Sequence, residues 1–247
     1  MTKRTRGHES IFRKLMILSR ILCFLGLSSC VQYNSGAEKL AAVRGGEKRT
    51  RLNVLFIGNS YSFGVPEEFR RLATKNDKWV KVSSAAIGGW TLEKHMQTES
   101  TLNKLHSRKW DVVVIQDHSL HPGCPEPERC QIMDPGVKYF AGEARAMGAV
   151  PLLYQTWGRR DGNEKIPGDD FYQMNDRVRT GYRAASRNNG GIEIVPAGDA
   201  WEEVYRSGLG RELFHEDGSH PSDFGNRISA RRFYEVIFDE KLSIIGE

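Results

Sequence analysis

A short apolar segment that stops at Gly58-Asn59-Ser60 constrains the fold more than any other part of the sequence. Residues 52–57 form a run too short for an independent helix and typical of a buried strand. The following Gly64-Val65-Pro66 is typical of a turn that enters a helix. A serine between a buried strand and a helix lies at the carboxyl edge of an α/β sheet, where such folds place their active sites. An ordinary strand-ending turn remains the alternative, because all three residues of Gly58-Asn59-Ser60 favour turns.

Strands and helices alternate over the rest of the chain. This pattern predicts a three-layer α/β/α sandwich with a mostly parallel, flavodoxin-like sheet of about five strands. The clearest strand covers residues 110–116, whose β-branched run is typical of a central parallel strand. Further strands are predicted at 79–82, 150–155 and 192–196, and helices at 65–75, 92–105, 137–147, 171–187 and 222–238.

Charge is distributed unevenly along the 247 residues. Of the 36 basic and 31 acidic side chains, six basic ones and Glu9 lie within residues 1–30, so the rest of the chain is neutral. A neutral domain has no general electrostatic attraction for nucleic acid, and we do not expect nucleic-acid binding. The length suits one α/β domain, which is predicted to cover residues 51–247.

Residues 1–30 have the pattern of an export signal. A basic region precedes the apolar segment 21–27, which is too short to span a membrane. The sequence Leu-Ser-Ser-Cys at residues 27–30 resembles a bacterial lipobox, in which Cys30 becomes the lipidated first residue; ordinary signal cleavage is the alternative. Residues 31–50 lack apolar periodicity and are predicted to be a linker. We therefore expect an exported protein, periplasmic or at the cell surface, with a lipid anchor in the membrane.

Asp217 and His220 lie three residues apart in a glycine-containing turn near the carboxyl end of the chain. A carboxylate beside an imidazole fixes its tautomer and stabilises the imidazolium. The imidazole can then accept a proton from a serine hydroxyl. The turn therefore predicts a catalytic group that contains Ser60, Asp217 and His220, and this chemistry needs no cofactor and no metal.

Three sequence blocks resemble those of the SGNH hydrolases. Residues 58–61, Gly-Asn-Ser-Tyr, stand where the GDSL signature of that family begins. Gly88 and Gly89 stand where the family has its oxyanion glycine, and residues 217–220 match its closing DxxH block. The resemblance covers roughly residues 52–238.

The resemblance implies a role for each matching residue. Ser60 is the expected nucleophile, His220 the general base and Asp217 its partner. The expected oxyanion hole consists of the backbone N–H of Ser60 and that of Gly88 or Gly89.

One block departs from the family pattern. The usual Gly-x-Asn-Asp after the third strand is absent, and residues 114–117 are Val-Ile-Gln-Asp. Gln116 is predicted to replace the asparagine as an oxyanion donor, because a side-chain amide can stabilise developing negative charge. Asp117 and His118 are candidates for orienting neighbours or contacting substrate; a polar loop that satisfies its own backbone is the alternative.

Three other residues are candidates for substrate contacts. They are Asn59, Trp90 and Trp157, each close to the end of a predicted strand. A tryptophan at such a place can be a platform for a sugar ring, or it can pack beneath a loop.

Cys124 and Cys130 lie within the proline-rich segment 120–136, which is expected to be an irregular insertion. Two close cysteines in an exported protein favour a disulfide, with free thiols as the alternative. Their spacing is not that of a metal site.

Together these features predict a serine esterase that acts on a small-molecule or polysaccharide ester through an acyl-enzyme. An acetyl group on a carbohydrate is the favoured substrate. The alternative is a catalytically weak carbohydrate-binding surface lipoprotein on the same scaffold. A metal-dependent hydrolase using His215, Asp217 and His220 is a weaker hypothesis, because this spacing is no established ligand set. The sequence predicts no particular oligomeric state.

Overall fold

A five-stranded parallel sheet forms the centre of the computed structural model, which describes residues 35–242. The strands are β1 (Arg51–Gly58), β2 (Trp79–Ala86), β3 (Val112–Ile115), β4 (Val150–Gln155) and β5 (Glu193–Pro196). Their order across the sheet is β2-β1-β3-β4-β5, and every neighbouring pair is parallel. The predicted fold class is confirmed.

Helices connect the strands and cover both faces of the sheet. They are α1 (Gly36–Arg44), α2 (Val65–Lys75), α3 (Leu92–Met96), α4 (Glu99–His106), α5 (Glu126–Ile132), α6 (Asp134–Ala146), α7 (Phe171–Asn188), α8 (Ala197–Val204) and α9 (Asp223–Phe238). Short 3-10 turns occupy Ser60–Ser62, His121–Gly123 and Gly210–Leu213, and a π-helical turn occupies Tyr205–Leu209. No helix among residues 35–242 is both long and apolar enough to cross a membrane.

Alternate side chains of β1 enter two hydrophobic clusters. Leu52, Val54 and Phe56 belong to one cluster, and Leu55 and Ile57 to the other. Because successive strand residues point to opposite faces, the clusters lie on the two sides of the sheet. Side chains of α1, α2 and α9 complete the first cluster, and side chains of α3, α6 and α7 the second. This burial on both faces accounts for the continuous apolar run of β1.

The proline-rich segment 120–136 is more regular than the sequence predicts. Residues 126–132 form α5, and α6 begins at Asp134 rather than at 137. Pro127 and Pro135 each lie in the first turn of a helix, where the missing N–H costs nothing because it has no intrahelical acceptor. The prolines therefore start helices here instead of preventing them.

The predicted disulfide between Cys124 and Cys130 is wrong, and both thiols are free. Cys130 lies within α5, whereas Cys124 precedes it in an extended conformation. The Cys124 thiol contacts the carbonyl of Leu120 at 3.5 Å, and the sulfur of Cys130 accepts from Arg129 at 3.6 Å. The helix therefore directs the two sulfur atoms to different partners.

The predicted linker at 31–50 is wrong over residues 36–44, which form α1. Ser35 and Glu38 form a capping box at its start, with Glu38 N–H to Ser35 Oγ at 3.2 Å and Ser35 N–H to Glu38 Oε2 at 2.6 Å. Leu40 and Val43 are buried in the cluster shared with α2 and α9. These two apolar residues and the ion pairs of Lys39 with Asp111 and of Arg44 with Glu193 dock this short helix. The predicted signal at 1–30, with Cys30, lies outside the described residues.

The docking of α1 is tested by Leu40→Ala. Leu40 is 3% exposed, so we expect its truncation to lower the free energy of unfolding by about 2–4 kcal/mol. Leu209→Ala removes the same atoms from a side chain that is 45% exposed, and we expect a loss below about 1 kcal/mol. Urea unfolding followed by circular dichroism measures both. Equal, negligible losses in the two variants would restore the linker interpretation.

Candidate active site

Ser60 lies directly after β1 at the start of the Ser60–Ser62 turn. The side chain of Asn59 caps this turn, because Asn59 Oδ1 accepts the Tyr61 N–H at 3.1 Å. Ser60 is half-buried at the carboxyl edge of the sheet. Within residues 35–242 its own N–H has no hydrogen-bond partner. This N–H is therefore available to an oxygen atom next to the Ser60 hydroxyl.

The structure brings the three predicted residues Ser60, His220 and Asp217 into one hydrogen-bonded chain. Ser60 Oγ lies 2.9 Å from His220 Nε2, and His220 Nδ1 lies 2.6 Å from Asp217 Oδ2. Because an ionised carboxylate only accepts, the proton of neutral His220 is on Nδ1. Nε2 is then free to accept the proton of the Ser60 hydroxyl, which is the arrangement that activates a serine.

Backbone hydrogen bonds hold the Asp217–His220 turn in shape. Asp217 Oδ1 accepts the N–H groups of Ser219 at 2.8 Å and His220 at 2.9 Å. Gly218 has a φ of +67°, which side chains rarely adopt. Burial opposes ionisation of Asp217, but the hydrogen bonds from His220 and Ser219 outweigh it and lower the pKa of the carboxyl to about 2. Asp217 is therefore ionised whenever His220 can act as a base.

Trp157 supports both halves of this site; of its two predicted roles, the structure has the buried packing and not the substrate contact. It is fully buried, and its ring stacks between Tyr61 at 4.8 Å and Trp201 at 3.7 Å. Its Nε1–H donates to the carbonyl of Ser219 at 3.1 Å. Tyr61 follows Ser60 and Ser219 precedes His220, and the Tyr61 and Ser219 hydroxyls are also bonded at 2.6 Å. The ring therefore fixes Ser60 relative to His220 and is closed to substrate.

Gln116 is not an oxyanion donor, so this prediction is wrong. It is 1% exposed, and its Oε1 accepts the Asn59 N–H at 2.9 Å and the Ser62 hydroxyl at 3.0 Å. Its Nε2 donates to Asn59 Oδ1 at 3.1 Å and to the carbonyl of Asp117. The β-carbon of any other residue at Gly58 would lie 2.3 Å from Gln116 Oε1. The amide is thus fully used in holding the turn that carries Ser60.

Asn59 and Asp117 are also buried, and neither is free to contact substrate as predicted. The Asn59 amide donates to the carbonyl of Trp90 at 3.1 Å and to that of Asp117 at 3.4 Å. Asp117 is 0% exposed and accepts the N–H groups of Leu92 and His118 at 2.9 and 2.7 Å. These two side chains join the ends of β1, β2 and β3 instead.

Gly88 and Gly89 lie in an exposed turn after β2, beside the end of β1. The Ile87 N–H donates to the carbonyl of Gly58 at 3.2 Å, which fixes this turn next to the nucleophile. In the described part of the chain neither glycine N–H has a hydrogen-bond partner. Trp90, which follows, is half-buried, and its contact with substrate stays a prediction.

His95 supports the same turn and was not singled out in the sequence. It is fully buried, its Nε2–H donates to the carbonyl of Gly58 at 2.7 Å, and its Nδ1 accepts the Thr101 hydroxyl at 2.8 Å. Burial lowers its pKa, which keeps the imidazole neutral and suits one donor and one acceptor position. No local pattern reveals such a residue, because its partners lie on β1 and α4.

His118 is half-buried beyond the end of β3, beside His121. Their rings are 5.2 Å apart, and His121 Nδ1 lies 2.9 Å from Asp117 Oδ2. Burial lowers the pKa of His118, and the charges of His121, Arg159 and Lys94 lower it further against Asp117. His118 is only half-buried, and its contact with substrate stays a prediction. Over residues 35–242 no three His, Cys, Asp or Glu side chains are grouped so that they could hold a metal ion.

Solved structures with this architecture carry esterase and lipase descriptions. A DUF4886 family protein from Bacteroides uniformis superposes with a TM-score of 0.64 at 22% identity, covering 77% of this chain and 84% of its own. A variant of Axe2, an acetyl xylan esterase from Geobacillus stearothermophilus, gives 0.56 at 19% identity over 78% and 97%. A GDSL-like lipase from Parabacteroides merdae gives 0.56 at 16% identity over 75% and 95%. This chain has the SGNH hydrolase fold. Neither a protein-family model nor a curated protein sequence matches it.

The role of Gln116 in the SGNH fold is tested by Gln116→Met. This change leaves the Asn59 N–H and the Ser62 hydroxyl without their buried acceptor, so we expect the free energy of unfolding to fall by at least about 2 kcal/mol. Gln173→Met makes the same change on the exposed face of α7 and serves as the control. Urea unfolding gives both values. An unchanged free energy of unfolding in Gln116→Met would indicate that the turn does not need the Gln116 amide, which would then be available as an oxyanion donor.

The lowered pKa of Asp217 predicts a specific dependence of stability on acid. The pKa of the carboxyl is near 3.8 in the unfolded chain and about 2 in the folded protein, so its contribution to stability is complete only above about pH 5 and is lost as the pH falls towards 2. We expect Asp217→Asn to lose less stability than the parent over that interval, measured as urea midpoints. Glu164→Gln removes the same charge from an exposed loop and is expected to behave as the parent. Parallel losses in all three proteins would contradict this prediction.

Proposed function

We propose that this protein is a serine esterase. The observation that carries the proposal is the hydrogen-bonded chain from Ser60 Oγ through His220 to Asp217, with distances of 2.9 and 2.6 Å. Its fold and the esterase descriptions of several structural neighbours support the same reaction class.

In the proposed reaction Ser60 Oγ attacks the ester carbonyl while His220 Nε2 takes the hydroxyl proton. His220 then returns this proton to the departing alcohol, and an acyl-enzyme on Ser60 remains. Water attacks the acyl carbonyl, gives its proton to Nε2, and releases the acid. Asp217 keeps the Nδ1 proton in place and stabilises the imidazolium in both halves of the reaction.

Backbone N–H groups are the proposed oxyanion donors. The N–H groups of Ser60, Gly88 and Gly89 have no partner among the described residues, and the hydrogen bond from Ile87 to Gly58 holds the Gly88-Gly89 turn at the end of β1; both observations support this assignment. Gln116 contributes by fixing the Ser60 turn rather than by donating. Losing one oxyanion donor typically costs about 10²–10³ in rate, so a two-donor hole predicts a modest turnover number.

We propose an acetyl group on a carbohydrate as the ester. The likeness to an acetyl xylan esterase supports this substrate class, and the half-buried rings of Trp90 and His118 leave polar and aromatic contacts for a sugar. We also propose that the protein is exported and held at the membrane by a lipid on Cys30, which the lipobox-like sequence supports. No cofactor is required by the proposed reaction.

The proposal is tested with 4-nitrophenyl acetate and the purified full-length chain. We expect Ser60→Ala to lower kcat/KM by about 10³-fold or more, because the nucleophile is lost. Ser107→Ala, at the end of α4 and exposed, is the matched control and is expected to retain the parent rate.

A fluorophosphonate probe separates the esterase from the alternative, a carbohydrate-binding protein without turnover. We expect the probe to label the parent and Ser107→Ala but not Ser60→Ala. Absence of both labelling and hydrolysis in the parent would favour the binding protein.

A further inference from the structure

Arg159 differs from the arginines that surround it in sequence. Arg160 pairs with Asp161 at 3.1 Å, Arg177 with Asp169 at 2.5 Å, and Arg179 with Asp199 at 2.7 Å. Arg159 makes no ion pair within residues 35–242. Its side chain donates from Nη2 to Ser119 Oγ at 3.2 Å.

The guanidinium of Arg159 is partly withdrawn from water, so the absence of a carboxylate partner among residues 35–242 lowers stability. The side chain is half-buried, and its Nε is a buried atom without a hydrogen-bond partner. A guanidinium withdrawn from water gains stability when a carboxylate or another anion restores its hydrogen bonds. Its planar fork of N–H groups matches a carboxylate in two parallel bonds.

Hydrogen bonds place Arg159 at the mouth of the candidate active site. Ser119, which it contacts, is adjacent in sequence to His118. The N–H of Arg160 donates to the carbonyl of Gly218 at 2.8 Å, inside the turn that carries Asp217 and His220. Arg159 thus lies on the loop after β4, which contacts Ser119 beyond the end of β3 and the turn that carries His220.

His118, whose pKa is lowered by burial, lies between Arg159 and Ser60 as a neutral imidazole that can donate or accept a hydrogen bond. The Asn59 side-chain amide donates to the carbonyl of Asp117 at 3.4 Å. Asn59 immediately precedes Ser60, and Asp117 immediately precedes His118. Arg159 and His121 are both close enough to His118 to lower its pKa. Asp117 is fully buried and spent on His121 and on backbone N–H groups, so it does not neutralise the guanidinium.

We propose that Arg159, together with His118, forms a subsite for a negatively charged group of the substrate. This inference rests on the proposed esterase function and narrows its substrate to esters that carry a carboxylate or a similar anion near the scissile bond. On a carbohydrate the anion is an acidic group of the sugar, on the alcohol side of the ester. Arg159 is a specificity residue for this group and takes no part in bond cleavage.

Two pairs of esters test the subsite and distinguish the side that bears the charge. The pair 4-acetoxybenzoate and 4-acetoxybenzamide differs by a charge on the alcohol. The pair mono-4-nitrophenyl glutarate and 4-nitrophenyl pentanoate differs by a charge on the acyl group. For each pair the readout is the ratio of kcat/KM for the anionic ester to that for the neutral ester, so intrinsic reactivity cancels between variants.

We expect Arg159→Gln to lower this ratio by roughly tenfold in the first pair, because a charge-assisted hydrogen bond is lost. Arg159→Lys keeps the charge without the planar guanidinium, and we expect its ratio to lie between that of the parent and that of Arg159→Gln. Arg187→Gln removes an exposed charge at the end of α7 and is expected to leave the ratio unchanged. A fall in the second pair alone assigns the anion to the acyl group. An unchanged ratio in both pairs overturns the proposal while Ser60-dependent hydrolysis of neutral esters leaves the esterase function intact.

Binding to the Ser60→Ala protein tests the subsite without turnover. Calorimetry compares 4-acetamidobenzoate with 4-acetamidobenzamide, in which an amide replaces the ester. We expect 4-acetamidobenzoate to bind more tightly than the benzamide. When Arg159→Gln is added, we expect the ratio of the two affinities to fall by roughly tenfold. Equal affinity of the two analogues in the Ser60→Ala protein overturns the inference whether or not the parent hydrolyses esters.

Discussion

The amide of Gln116 is the interaction on which the candidate site depends. It bonds to the N–H and side chain of Asn59, to the hydroxyl of Ser62 and to the carbonyl of Asp117. These groups flank Ser60 on both sides and reach across to the end of β3. In a dry interior such a network is rigid only when every member is satisfied, which is the case at Gln116 itself. The buried amide of Gln116 therefore fixes the backbone on both sides of Ser60 and, with it, the direction of the Ser60 hydroxyl.

Support from the opposite side comes from aromatic packing. The ring of Trp157 lies between Tyr61 and Trp201 and bonds to Ser219, so the turn with Ser60 and the turn with His220 share one rigid neighbour. Ser60 and His220 come from segments 160 residues apart in sequence. A hydrogen bond of normal length between them requires such a common support, because each turn by itself is short and irregular.

The sequence was sufficient for the layout of the fold and for the three residues Ser60, Asp217 and His220. Strand periodicity and short turn motifs are local, and they determine which residues reach one edge of a parallel sheet. It was not sufficient for side-chain direction at that edge. Gln116, Asn59 and Trp157 follow strands as predicted but turn inward, because the neighbouring strand ends offer unpaired backbone groups and an apolar pocket. Arg159 and His95 had no local signal, since their surroundings come from distant segments.

Gln116 also changes how substitutions in this chain should be understood. Its side chain occupies the space that the missing β-carbon of Gly58 leaves open, and it uses the hydrogen-bonding groups of Asn59 and Ser62. A shorter amide at 116 would leave those groups unpaired, and a larger residue at 58 would displace the amide. The four positions thus form one packed unit, and a substitution at any of them disturbs the other three. A tolerated change at one of these positions therefore requires a compensating change at another.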